Sequence, residues 1–302
     1  MIGAAERERI IFGCGNFGGL GSSPALRGQG DSEADALKLL DHARAVGLTR
    51  FDTANTYGGG VSETVLGLWL RRQDSQFRSR VQVATKVGNP AGCPPDDRPL
   101  SARQIEEHLD HSLLRLGVER IDLYYLHEFD PTTPLDETLE AIRRGIAAGK
   151  VAGFGLSNAG ELQLQSVLAL ADETVRGRLT HVQNEFNFLE RRDLKDVVPL
   201  CVQSGLSYVA FSPLAGGLLT GKYRFDAPPE PESRLAKVGG LYDRHLTPSA
   251  LARIETLRKG SADLGTMSGA ALRFVLDTPG VDSLIIAPRR LSHFESYGLA
   301  DA

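Results

Sequence analysis

Four residues suited to proton chemistry stand at or just beyond the ends of successive apolar runs. Asp52 closes "LTRFD", Tyr57 follows in "TANTYGGG", Lys86 ends "VQVATK" and His127 ends "IDLYYLH". A lysine at the end of a buried run needs a counter-ion, and Asp52 can supply it. Free tyrosine has a pKa near ~10 and is a poor acid or base at neutral pH. A neighbouring ammonium is expected to depress that value, while the aspartate keeps the lysine charged. Each unit of depression is about 1.4 kcal/mol of differential interaction. Tyr57 could then give a proton to a carbonyl oxygen as negative charge develops there, with His127 donating a second hydrogen bond to the same oxygen. The plain alternative is a buried ion pair that fixes one layer of a core. The convergence of Tyr57 and His127 on the pair favours the chemical reading. None of these side chains is a reductant, so a bound hydride donor is expected.

Such residues meet only if the elements that carry them end in one place. The chain alternates short apolar runs with helical patterns throughout. "RIIFGCG", "LTRFDTA", "VQVATKVG", "IDLYYLH", "VAGFGLS", "LTHVQNEF", "LSYVAFSP" and "VDSLIIAP" read as strands. After the first, Asp31 or Ser32 can cap a helix with Ala36, Leu39, Leu40 and Ala43 on one face. Ser101 with Gln104 reads as a capping box opening a helix with Ile105, Leu109, Leu113 and Leu116. Thr247-Pro248 reads as a cap with a first-turn proline. Alternating strand and helix implies a parallel sheet. Eight units in 302 residues fit one α/β domain over 1–302, a closed (β/α)8 TIM barrel. Active sites of that fold lie at the carboxyl ends of the strands. Asp52, Asn55, Tyr57, Lys86, His127, Ser157, Asn158, Gln183, Asn184 and Ser212 all stand at that end. Two long irregular stretches, "GNPAGCPPDDRPL" and "YRFDAPPEPESRLAKVGGLYDRH", are expected as pocket walls or lids, or as plain loops. Phe17, Trp69 and Phe129 are candidate walls of an apolar substrate pocket.

Composition narrows the function classes. Apolar residues make up 41% and charged residues 24%, with a net charge of −4 and both signs interspersed. That gives no footprint for nucleic acid or for an anionic membrane. Cys14, Cys93 and Cys201 are three, far apart and without paired spacing, which argues against a disulfide framework or a zinc site. The charged start "MIGAAERERI" lacks a signal-peptide core, and no apolar run reaches the length of a membrane span. A cytoplasmic protein is expected. A metal-dependent barrel hydrolase is disfavoured because His127 is the one histidine placed at the catalytic end. "GCGNFG" satisfies the dinucleotide fingerprint G-x-G-x-x-G. That motif needs a helix opening at its third glycine, whereas here "GLGSSPALRGQG" follows.

Two late segments suit a nucleotide cofactor. "FSPLAGGLLTGK" offers Phe211 for a flat ring to stack on, small residues where backbone can approach phosphate, and the charge of Lys222. "APRRLSH" offers Arg289 and Arg290 where phosphate docks in many barrels. Asp52, Tyr57, Lys86 and His127, each following a successive strand, resemble the catalytic tetrad of the aldo-keto reductase superfamily. "FDTANTYGGGVSETVLG" is similar to its signature, and "GLSN", "QNEFN" and "FSPLAGGLLTGKY" to its nicotinamide-holding segments. The resemblance implies that Ser157, Asn158 and Gln183 hold the nicotinamide carboxamide and that Phe211 stacks on its ring. It places Ser212, Pro213, Leu214, Gly216 and Lys222 along the pyrophosphate, and Gly15, Asn16, Phe17 and Asp52 near the nicotinamide ribose and substrate. Ser296-Tyr297 stands where the family usually has Glu-Asn, Ala287 replaces a glycine, and His293 holds an adenosine-phosphate position often occupied by arginine or glutamine. With Arg289 and Arg290 available to a 2′-phosphate, the resemblance implies NADPH, with NADH possible, and reversible reduction of a small aldehyde or ketone to an alcohol. The alternative is a nicotinamide-binding sensor with little turnover, as channel-associated subunits of the superfamily illustrate.

Overall fold

The computed structural model describes residues 2–94, 97–261 and 265–299. Eight parallel strands close a barrel in sequence order. They are β1 (Ile10–Gly13), β2 (Arg50–Asp52), β3 (Gln82–Val87), β4 (Ile121–Leu126), β5 (Val151–Ser157), β6 (Leu179–Glu185), β7 (Ser207–Phe211) and β8 (Ser283–Ile286). Each lies within one of the eight expected runs. Apolar residues recur on both faces of these runs because both faces of a parallel barrel strand are covered, by the barrel interior and by the helices. All residues of β1 and β8 are buried. Ile10, Phe12, Phe51, Leu284 and Ile286 belong to the large outer core, whereas Ile11, Val209 and Ile285 form a separate small cluster. That split is the alternation of a strand read across two layers.

The helices follow their caps. Helix α1 (Glu33–Ala45) starts at Ser32, whose hydroxyl accepts from the Asp35 N–H, and it buries Ala36, Leu39, Leu40 and Ala43. Asp31 is not the cap. Helix α2 (Val61–Arg71) follows the glycine turn after Tyr57, and α3 (Ala102–Leu116) follows β3. At α3 only half of the expected capping box forms. Ser101 accepts from the Gln104 N–H, but the Gln104 side chain donates to Asp97 instead of returning to the cap. Thr247 caps α4 (Pro248–Gly260) with Pro248 in its first turn, as expected. Among the described residues, no helix is long and apolar enough to cross a membrane.

Register decides what meets at the carboxyl end. Gly13 pairs with Asp52, Asp52 with Ala84, Lys86 with Tyr125 and Ser157 with Gln183. Lys86 therefore stands two residues beyond the partner of Asp52 on the adjacent strand, and its long side chain folds back toward the carboxylate. The stretch after β7 packs as its own apolar cluster, in which Tyr223 and Tyr242 meet Leu218, Leu219, Ile254 and Met267.

Candidate active site

Asp52, Tyr57, Lys86 and His127 converge. The fully buried Lys86 Nζ donates to Asp52 Oδ1 at 2.5 Å, to the Thr53 carbonyl at 2.8 Å and to Tyr57 Oη at 3.3 Å. The Tyr57 and His127 rings stand edge to face, 5.7 Å apart at 82°. Gln183 donates to the second Asp52 oxygen at 2.8 Å, so the carboxylate is held on both sides. Burial alone would push the Lys86 ammonium down, but Asp52 and then Tyr57 outweigh it and hold it above its ordinary range. The phenol departs from the sequence expectation. Burial pushes Tyr57 up and outweighs the downward pull of Lys86, with Asp52 adding to the rise. The sequence predicts the ammonium correctly but not the depth at which the hydroxyl is buried. Burial and then the Lys86 charge hold His127 well below the ordinary histidine range, so its ring is neutral at neutral pH. Its Nδ1 has no hydrogen-bond partner among the described residues.

A cavity of about 950 Å³ opens from this group across the carboxyl ends of the strands. It is lined by Gly15, Asn16, Asp52, Tyr57, His127, Ser157, Asn158, Gln183, Phe211, Ser212, Pro213, Leu214, Gly216, Lys222, Arg289, Arg290 and His293. Asn158, Ser212 and Ala215 have left-handed backbone at φ 54, 52 and 47, the non-glycine residues of that kind among the described ones. Such strain gathers where a loop is shaped for a ligand. Gly216 and Gly217 continue the left-handed run, and a β-carbon at Gly216 would strike the Tyr242 ring. Backbone amides exposed along a left-handed glycine stretch make an anion cradle, and Lys222, Arg289 and Arg290 add cationic donors to the same cavity. Size, cradle and charges fit a phosphate-bearing dinucleotide.

The model of the aldo/keto reductase family matches residues 9–297. The chain belongs to the aldo/keto reductase family. It is 36% identical over 292 residues to an uncharacterized oxidoreductase, YrpG, of Bacillus subtilis (strain 168), covering 93% of this chain and 83% of that one. It is 32% identical over 263 residues to L-glyceraldehyde 3-phosphate reductase of Escherichia coli (strain K12), covering 85% and 76%. It is 30% identical over 267 residues to a probable voltage-gated potassium channel subunit beta of Arabidopsis thaliana, covering 86% and 80%. Aldo/keto reductases are oxidoreductases that use nicotinamide cofactors on small carbonyl compounds.

Some residues of this aldo/keto reductase sit differently from the expectation. Phe17 does not line the cavity; its ring is buried, 6.0 Å from that of Phe12 in the core. Trp69 is likewise core, packed against Phe51 and Phe77, with its N–H donated to Asp41. The "GCGNFG" stretch opens no helix; Phe17 bridges to Asp31 and Gly19 to Arg27 instead. Of the two long stretches, the one after β7 forms a wall, with Glu230, Glu232, Ser233, Arg234, Lys237 and Tyr242 on the cavity. Arg234 reaches across to Asn16 Oδ1 at 2.9 Å and to the Tyr242 hydroxyl at 3.1 Å. No spacing signal marks Arg234, because its partner Asn16 comes from the other end of the chain.

The sequence missed Asp31 as the partner of the cavity-lining Arg289. Its carboxylate accepts from Arg289 Nε at 2.8 Å, and burial, against the pull of Arg289, raises it above the usual carboxylate range. The Arg289 N–H donates to His293 Nδ1. Burial and then the charges of Lys222, Arg290 and Arg289 lower His293.

Proposed function

We propose that this aldo/keto reductase is an NADPH-dependent carbonyl reductase in which Tyr57 is the general acid. The observation that carries the reading is the Lys86 ammonium bound to both Asp52 and Tyr57 in one buried cluster on the cavity wall. The nicotinamide cofactor, when bound, supplies hydride to the carbonyl carbon. The protein's own work is to place and protonate the oxygen. His127, neutral, offers a ring N–H that orients the carbonyl toward Tyr57. Tyr57 Oη transfers its proton as the oxygen becomes alkoxide. Lys86 stabilises the resulting phenolate, and Asp52 with Gln183 keeps that ammonium charged and aimed. In the oxidative direction the phenolate takes the proton back.

The cofactor residues follow the family pattern in this proposal. Ser157, Asn158 and Gln183 border the carboxamide, and Phe211 stacks on the ring. Gly15, Asn16, Ser212, Pro213, Leu214, Gly216 and Lys222 line the riboses and pyrophosphate. Arg289, Arg290 and His293 meet the adenosine phosphate. Lining of the cavity supports each of these. Gln183 differs in one respect, since its amide nitrogen is already committed to Asp52.

Incubation with NADPH and a panel of small aldehydes and ketones, followed by cofactor absorbance, tests the activity. Tyr57→Phe is expected to lower reduction by roughly 10²–10⁴-fold and to leave the NADPH Kd within about twofold. Undiminished turnover would remove Tyr57 as the acid. Tight NADPH binding with no turnover on any carbonyl would favour the sensor reading, which a channel-subunit relative at 30% identity keeps in view.

A further inference from the structure

We propose that Ser62 and Glu63, the second and third residues of α2, are positioning residues that hold the Tyr57 hydroxyl against Lys86. The inference rests on Tyr57 as the acid. Side chains alternate along a strand, so the residue next to each inward-facing member of the ion pair points outward, toward the helices. Those residues are Thr53, beside Asp52, and Thr85, beside Lys86, and both are fully buried. Ser62 and Glu63, also fully buried, grip one each. Ser62 donates to the Cys14 carbonyl at 2.8 Å, so the 2.7 Å contact with Thr53 is a bond donated by Thr53. Thr85 donates to one Glu63 oxygen at 2.5 Å, and Arg115 of α3 donates to the other at 2.6 Å.

The clamp matters because of what lies between it and the ion pair. Tyr57 is followed by Gly58, Gly59 and Gly60, at φ 59, 71 and 97. A glycine run restricts its own conformation least of any sequence, so the local chain does not fix where the phenol points. On the entry side the Asn55 N–H bonds the Lys86 carbonyl at 3.2 Å. On the exit side the clamp ties the turn to β1, β2 and β3 together. Its bonds end one residue from Asp52 and one from Lys86, and so set the 3.3 Å Oη–Nζ distance. The charged and titratable groups facing Tyr57 are Lys86 from β3, Asp52 from β2, His127 from β4 and Arg234 from the segment after β7. The clamp governs the separation of Tyr57 from both Lys86 and Asp52, and of the two the Lys86 charge has the larger effect on the phenol. A loosened clamp weakens the downward pull of the ammonium and lets the phenol titrate higher.

Thr53→Val and Thr85→Val remove a hydroxyl while keeping a β-branched side chain of nearly the same volume; Thr53→Ser and Thr85→Ser keep the hydroxyl. Tyr57 is titrated in the cofactor-free protein by the carbon-13 resonance of labelled tyrosine, with Tyr57→Phe assigning the signal. The valine variants are expected to move the Tyr57 midpoint upward by half a pH unit or more. They should also lower kcat at least tenfold with KM within about twofold, and the serine variants should restore both. Valine variants that lower only Tm, with midpoint and kcat unmoved, overturn the proposal. If a valine variant does not fold, Thr53→Ala or Thr85→Ala, which removes the same hydroxyl with less bulk, takes its place, and an unmoved Tyr57 midpoint there overturns it equally. A shifted midpoint combined with undiminished turnover of Tyr57→Phe would instead leave the clamp standing and sink the acid.

Discussion

At the scale of single residues, the site is a contest between burial and charge. Lys86 and Asp52 are both buried, with side-chain exposures of 0% and 4%, and each satisfies the other. Removing one partner leaves an unpaired buried charge, a loss of about 3–5 kcal/mol. Lys86→Met should therefore lower stability by that order in a denaturant titration and abolish reduction. The double variant Asp52→Asn with Lys86→Met should recover part of the stability and none of the turnover, because the two sites are coupled. The phenol gives a second prediction. Burial raises the Tyr57 pKa, so with Tyr57 as the proposed acid the protonated form persists through neutral pH. The kcat for reduction should stay flat from about pH 6 to 9 and fall only near or above ~10, the ordinary tyrosine value. The rate of alcohol oxidation, which needs the phenolate, should rise over the same upper range. A reduction rate that halves between pH 7 and 8 would assign the proton to another group.

At the scale of elements, the turn between β2 and α2 shows what spacing can and cannot say. "TYGGG" announces a turn, and all three glycines are left-handed. Their surroundings differ in a way that no sequence pattern carries. A β-carbon on Gly58 would strike the Phe17 carbonyl, which is backbone, whereas on Gly59 it would meet the mobile end of Arg27 at 3.0 Å. Left-handed backbone costs a non-glycine residue roughly 1–2 kcal/mol. Gly59→Ala should lose about that much stability and keep most of its turnover. Gly58→Ala should lose more than tenfold in kcat as well, because the turn that carries Tyr57 must shift. Equal kcat in the two variants would show that the turn absorbs the extra carbon. Caps were legible where they are local: Thr247 outright, and Ser32 as one of two candidates with Asp31. The box at Ser101 was half wrong because Gln104 found a better acceptor in Asp97.

At the scale of the whole molecule, the cavity is assembled by strand ends and by the segment after β7 that folds across them. A ligand that binds only the folded chain stabilises it by about 2.7 kcal/mol at a hundred times its Kd, on the order of 5 °C in Tm for a chain of this size. NADPH is expected to raise Tm by that order, and more than NADH at equal concentration. Replacing Arg289 and Arg290 together by Ala should bring the NADPH rise down to that of NADH. If both cofactors lose alike, these arginines do not read the 2′-phosphate.

The eight strands, their order and the end at which Asp52, Tyr57, Lys86 and His127 gather were legible in the sequence, because they depend on periodicity and on residues counted from strand ends, which are local quantities. The cofactor-facing wall was legible chiefly through resemblance to the aldo-keto reductase motifs. Tertiary structure alone decided that Tyr57 is buried deeply enough to outweigh its lysine, that Phe17 and Trp69 are core, and that Arg289 answers to Asp31. It alone brought Arg234 onto Asn16 and tied Ser62 and Glu63 to Thr53 and Thr85. Burial and pairing of this kind are set by segments far apart in the chain, and a residue's type and spacing hold no record of the partner that will be packed against it.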